Sequence, residues 1–102
     1  METKHRILLV DDDEAYRAVT AIALESEGCD VQEAANGYAA LEALQNAHPD
    51  VIVSDLDMPG LNGVELCHRV RANPSLAQIH FVLLSALIEP DGTGMPPAHE
   101  AD

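Results

Sequence analysis

Two short aliphatic runs that end abruptly in acid constrain this chain more than any other feature. Ile7-Leu8-Leu9-Val10 stops at Asp11-Asp12-Asp13-Glu14, and Val51-Ile52-Val53-Ser54 stops at Asp55. An uninterrupted apolar run lacks the alternation of a half-solvated strand. It fits a strand buried on both faces, which belongs to a parallel sheet covered by helices. Ile79 to Leu84 is another run of this kind, with His80 early in it and Ser85 at its end, and Asp30 to Ala34 is a weaker one.

The segments between these runs read as helices. Ala15, Ala18, Val19, Ile22 and Ala23 recur with the spacing of one helical face, which predicts a helix from Glu14 to Glu27 that Gly28 ends. Asn36-Gly37 is a turn signal leading into the helix-favouring stretch Tyr38 to Leu44, and His48-Pro49-Asp50 breaks the chain again. Pro59-Gly60 and Asn62-Gly63 predict a tight loop, followed by a helix with Val64, Cys67 and Val70 on one face that stops at Asn73-Pro74. Alternating strands and helices predict an open α/β sheet, in which ligands bind beyond the carboxyl ends of the strands. Those ends supply Asp11, Asp12, Asp55, Asp57 and Ser85. Residues 1–88 are expected to form one domain. Residues 89–102, with three prolines, four acids and no periodicity, are expected to be a disordered tail.

With 18 acidic side chains against 5 Lys and Arg, the net charge of −13 argues against nucleic acid or an anionic membrane as a direct partner. No aliphatic run approaches the length of a signal-peptide core or a membrane span, so an intracellular, cytoplasmic protein is expected. Cys29 and Cys67 show no metal-ligand spacing and read as reduced thiols.

Bringing Asp11, Asp12 and Asp55 to one sheet edge concentrates negative charge, which raises carboxyl pKa values unless a cation intervenes. Mg²⁺ suits such a site, because it takes oxygen ligands from one or two carboxylates and keeps other positions for water or phosphate oxygens. Asp11 to Glu14 alone also reads as a solvated helix start, since acids favour a first helical turn. The matching acid after the third strand favours the site.

These segments resemble the receiver domains of two-component response regulators. The resemblance rests on Leu8-Leu9-Val10-Asp11-Asp12, on Val51-Ile52-Val53-Ser54-Asp55-Leu56-Asp57-Met58-Pro59-Gly60-Leu61-Asn62-Gly63, and on Phe81-Val82-Leu83-Leu84-Ser85-Ala86. Glu33 to Leu41 is similar to the family's second strand exit and second helix, so the likeness spans residues 5 to 87. It implies a flavodoxin-like receiver, an open doubly wound parallel sheet with strands in the order 2-1-3-4. It also implies that Asp55 is the phosphoacceptor, that Asp12 and Asp55 ligate Mg²⁺ directly, and that Asp57 ligates through its carbonyl. Asp11 would orient a water of the metal, and Ser85 would give its hydroxyl to a phosphoryl oxygen. Met58-Pro59-Gly60 would fix the loop beside the acceptor, and Gly63 would allow a tight turn into the helix. A histidine kinase or phosphotransfer protein is the implied partner.

The chain departs from the family after the fourth strand. The family's fifth strand, its terminal lysine and its last helix are not found, and the one lysine, Lys4, precedes the first strand. A strand of about seven residues separates it from the site, roughly 20 Å. Arg17 is nearer but is expected to point to solvent from its helix. Strand 4, with Phe81, Val82, Leu83 and Leu84, is expected to be an exposed apolar edge that invites self-association or a partner. The leading expectation is a stand-alone receiver with impaired output, not an enzyme in the ordinary sense. The alternative is a degenerate receiver that acts as an interaction or dimerisation module without phosphorylation. Asp55-Leu56-Asp57 also looks like the acid pair of haloacid-dehalogenase-type phosphatases, but the downstream lysine and the length for a cap domain are missing.

Overall fold

The computed structural model describes residues 4–84 and 98–100. β1 (Arg6–Val10) lies at the centre of the sheet, parallel on one side to β2 (Asp30–Ala34) and on the other to β3 (Val51–Asp55). β4 (His80–Leu84) continues the sheet beyond β3, again in parallel, so the order is 2-1-3-4 as expected. α1 (Glu14–Ser26), α2 (Gly37–Leu44) and α3 (Gly63–Ala72) connect successive strands. The register positions the site: Val10 stands opposite Ser54, so Asp11 and Asp55 leave the sheet at the same level of its carboxyl edge.

Each helix begins where a polar side chain satisfies free N–H groups. Asp13 accepts from the backbone of Tyr16, Asn36 from Ala39, and Asn62 from Glu65, whose own side chain accepts in return from the Asn62 backbone. The two Asn-Gly pairs that read as turns in the sequence are therefore helix starts, and the Asn oxygen explains both readings. Gly28, with φ of 92°, ends the α1 turn as expected.

The main core lies on one face of the sheet. Alternate strand residues Leu8, Val10, Ile52, Phe81 and Leu83 pack there against Ala40 and Leu44 of α2 and Leu66, Cys67 and Val70 of α3. Burying each such large side chain stabilises the fold by about 1.5–3 kcal/mol. The inward face of α3 is thus Gly63, Leu66, Cys67 and Val70, whereas Val64, expected on that face, is 40% exposed.

A second correction concerns α1. The opposite face of β1 carries Ile7 and Leu9, and α1 packs over it against β1 and β2. Ala21 is the buried residue of α1, with Arg17, Thr20 and Leu24 half-buried around it, while Ala15, Ala18, Val19, Ile22 and Ala23 are exposed. The apolar stripe that the sequence offered as the core-facing side points outward. Arg17 lies on the inward side, held there by polar contacts described below. On this side of the sheet Val51, Val53, Val82 and Leu84 remain half-buried.

A third correction concerns the edge. A three-residue strand, β5 (Ala98–Glu100), pairs antiparallel with β4, with Leu84 opposite Ala98 and Val82 opposite Glu100. The exposed edge expected at strand 4 is therefore occupied from Val82 to Leu84, and Phe81 and Leu83 are buried. Unpaired strand N–H and C=O groups next to a core are costly, so a later part of the same chain takes them up. Three residues expected to belong to a disordered tail are strand; Ser85 and the rest of that segment apart from Ala98–Glu100 lie outside the described residues.

Candidate functional site

The carboxyl edge brings three of the sequence-predicted residues together. Asp11, Asp12 and Asp55 each offer a carboxylate oxygen, and these oxygens lie within 4.8 Å of one another. Asp11 is buried, Asp55 is half-buried and Asp12 is exposed, so the cluster grades from the protein outward to solvent. Asp57 is exposed and its carboxylate is not part of the group.

Backbone contacts fix the acids. The Asp11 amide donates to the Ala34 carbonyl at 3.1 Å, continuing the β1–β2 pairing by one residue, and its carboxylate accepts from the Asp13 amide at 2.9 Å. That contact turns the chain into α1. Asp55 is held from behind: the fully buried Ser54 donates its hydroxyl to the Asp55 carbonyl at 2.9 Å. The same carbonyl packs against Gly63, where a Cβ would fall on the oxygen. Gly63 is needed for this close approach at the turn into α3 and not for a left-handed backbone, since its φ is not positive.

The electrostatics follow from this crowding. Burial is the main cause that raises the carboxyl pKa of Asp11, with the charges of Asp12 and Asp13 adding to it, while the Asp13 amide and Arg17 act in the opposite direction. Burial also raises Asp55, followed by the charge of Asp11, and the backbone N–H groups of Asp57 and Leu56 draw it back. Both acids therefore hold protons more readily than a free carboxyl does. A cation placed among them would remove that penalty, and three hard oxygen donors fit Mg²⁺ better than any soft metal.

Three residues at the site were not assigned a role by sequence reasoning. Arg17, expected to face solvent, is only 14% exposed in its side chain and donates from Nη1 to the Asp11 carbonyl at 2.6 Å and from Nε to Glu33 at 2.9 Å. Ser54 looked like an ordinary strand residue, and only its position beside Asp55 hinted at more. Tyr38 lies against Gly60 in the loop after Asp55: a Cβ on Gly60 would stand 3.3 Å from its ring.

An open, mostly parallel α/β sheet with an acidic cluster at its carboxyl edge defines an acid-centred α/β module, and comparison with known proteins identifies its kind. Residues 7–93 match the response regulator receiver domain, and the chain belongs to that family. It is 37% identical over 86 residues to the gliding motility regulatory protein of Myxococcus xanthus, covering 84% of this chain and 11% of that protein. It is 36% identical over 83 residues to the DNA-binding response regulator MtrA of Mycolicibacterium paratuberculosis, covering 81% of this chain and 36% of that protein. The chemotaxis protein CheY4 of Vibrio cholerae has a similar structure, with a TM-score of 0.79 at 31% identity, covering 87% of this chain and 74% of that one. The receiver domain of a signal transduction histidine kinase from Syntrophus aciditrophicus gives a TM-score of 0.78 at 32% identity, covering 85% and 66%. This chain is a two-component signalling module, and it spans about a third or less of the length of these two curated relatives. Among the described residues no helix is long and apolar enough to cross a membrane.

Proposed function

We propose that this receiver accepts a phosphoryl group on Asp55, with Mg²⁺ held by Asp12, Asp55 and the Asp57 carbonyl and with Asp11 orienting a water of the metal, in cytoplasmic two-component signalling. The observation that carries this reading is the convergence of the Asp11, Asp12 and Asp55 carboxylates within 4.8 Å. The donor is a phosphohistidine on a histidine kinase or phosphotransfer protein. A carboxylate oxygen of Asp55 forms the new bond to phosphorus as the nitrogen–phosphorus bond breaks, and the imidazole nitrogen keeps the electron pair. Asp55 must be ionised to attack, and burial, followed by the charge of Asp11, opposes ionisation. Mg²⁺, when bound, supplies the charge that frees the carboxylate and neutralises the incoming phosphoryl oxygens. Ser54 and Gly63 brace the Asp55 backbone at its carbonyl, which limits the positions open to its side chain. Ser85 is the proposed hydroxyl donor to the phosphoryl group.

The sequence supplies no lysine other than Lys4, which precedes β1 and so stands at the far edge of the sheet from Asp55. A second reading is an interaction module that keeps the fold without phosphotransfer. Self-association through strand 4 belongs to that reading and requires β5 to leave the edge it now occupies. Nucleic acid is a poor partner for a chain of net charge −13 on either reading.

Intact mass after incubation with Mg²⁺ and acetyl phosphate separates the two readings, with Asp55→Asn in parallel. A base-labile, phosphoryl-sized gain in the parent alone is the result expected. No gain in folded parent protein would move the assignment to the interaction module.

A further inference from the structure

Two of the chain's three aromatic side chains are exposed, and one of them, Tyr38, is packed against the loop that follows Asp55. Tyr38 is the second residue of α2 and is 58% exposed, an unusual place for a large ring in a domain with so small a core. Its neighbour Gly37 sits so close to the loop that a Cβ there would stand 2.8 Å from the Leu61 carbonyl oxygen. The amino end of α2 therefore rests directly on residues Gly60 and Leu61.

The loop itself is anchored unevenly. Met58 and Leu61 are buried in the core, whereas Asp57, Pro59 and Gly60 are exposed. Gly60 has φ of 79°, a conformation that L side chains resist, and its bare Cα faces the edge of the Tyr38 ring. The ring covers the backbone where the loop has no side chain of its own to pack. Among the described residues the Tyr38 hydroxyl makes no hydrogen bond, so the aromatic body makes the contact.

We propose that Tyr38 is a positioning residue for the loop after Asp55: its ring pins Gly60, and through the three-residue span back to Asp57 it sets the backbone carbonyl that would ligate Mg²⁺. This rests on the reading of Asp57 given above, and it assigns to an exposed aromatic on a different helix the task of setting that loop. Groups hydrogen-bonded to a metal ligand change affinity by about 10–100-fold when removed, and Tyr38, which acts three residues from Asp57, is assigned the lower end of that range.

The test uses the full chain and the variants Tyr38→Ala and Tyr38→Phe. Amide hydrogen exchange of the metal-free protein reads the hold on the loop without any reference to Mg²⁺. Exchange at Leu56 and Gly63, whose amides donate to the Leu84 and Leu56 carbonyls at the two ends of the loop, is expected to quicken in Tyr38→Ala, to stay at the parent rate in Tyr38→Phe, and to be unchanged in β1 and β3. Calorimetric titration with Mg²⁺ is expected to show about tenfold weaker binding for Tyr38→Ala and parental binding for Tyr38→Phe. Parental loop exchange in Tyr38→Ala would overturn the proposal, as would faster loop exchange with undiminished Mg²⁺ affinity. Parent protein that binds no Mg²⁺ would overturn the metal-site reading and the metal-facing part of this proposal together. The exchange result would then still decide, separately, whether Tyr38 holds the loop.

Discussion

The backbone N–H of Leu56 donates to the Leu84 carbonyl at 2.9 Å, which ties the residue after Asp55 to the end of β4. Gly63 closes the same loop from the other side, its N–H donating to the Leu56 carbonyl at 3.0 Å. The loop after Asp55 is thus clamped between β4 and the start of α3. A change at any of these points is felt at the Asp55 backbone.

Gly63→Ala is the sharpest probe of that clamp. Its new Cβ would meet the Asp55 carbonyl and lie 2.7 Å from Leu83 Cδ2, so either the loop or the Leu83 rotamer must shift. A loss of about 2–3 kcal/mol is expected from such overpacking. Urea unfolding checks it, and a midpoint equal to that of the parent would show that the approach is looser than described.

The acids make the metal-free protein respond to pH in an unusual sense. The Asp11 and Asp55 carboxyls are raised above the ordinary 3.8, so between that value and their folded values the native state binds more protons than the unfolded chain. Their contribution to stability therefore grows as pH falls through the folded pKa values toward 3.8, and it is lost as pH rises again. Saturating Mg²⁺ is expected to stabilise the protein at neutral pH, by about 2.7 kcal/mol at a hundred times its Kd, and to reverse this slope. Urea midpoints across the acid range, with and without Mg²⁺, give the sign directly, and in Asp11→Asn the metal-free slope should flatten.

Arg17→Met removes both polar contacts of the guanidinium and the cation nearest Asp11. A cost of about 1–2 kcal/mol is expected, since the Asp11 carbonyl loses its charged donor in a partly buried setting. Glu33→Gln should cost under about 1 kcal/mol, because Glu33 is 41% exposed and solvent screens the pair. Equal losses in the two variants would mean that the ion pair, and not the carbonyl contact, anchors α1.

The outward face of α1 is checked by contrast. Ile22 is 66% exposed, so Ile22→Thr should alter stability by no more than about 0.5 kcal/mol. Leu66→Ala, fully buried on α3, should cost about 2–5 kcal/mol. Comparable losses at both positions in thermal unfolding would place the α1 stripe in a packed interface after all.

Much of the architecture was legible because it follows from local chemistry. The apolar runs that stop at Asp11 and Asp55 gave strands buried on both faces, and the acids after them marked the functional edge. Gly28 and Pro74 marked helix ends through backbone restrictions that act within a few residues. The same locality misled at α1, where the 3.6-residue period of Ala15, Val19 and Ile22 is real but says nothing about which way the stripe faces. In the fold the opposite side carries Arg17, which meets Asp11 just after β1 and Glu33 in β2. The pairing of Ala98–Glu100 with β4 was equally hidden, since three short residues after a Pro-rich stretch carry no pattern until a free edge is beside them.

The sequence by itself determined the element order, the parallel sheet and the identity of the acids at its carboxyl edge, because hydrophobic runs, caps and breakers act on neighbouring residues. Only the tertiary structure decided which acids converge, how Ser54 and Gly63 brace Asp55, and that Tyr38 rests on Gly60. Those relations join residues far apart in the chain, and their distances come from strand register and helix packing, which no local pattern encodes.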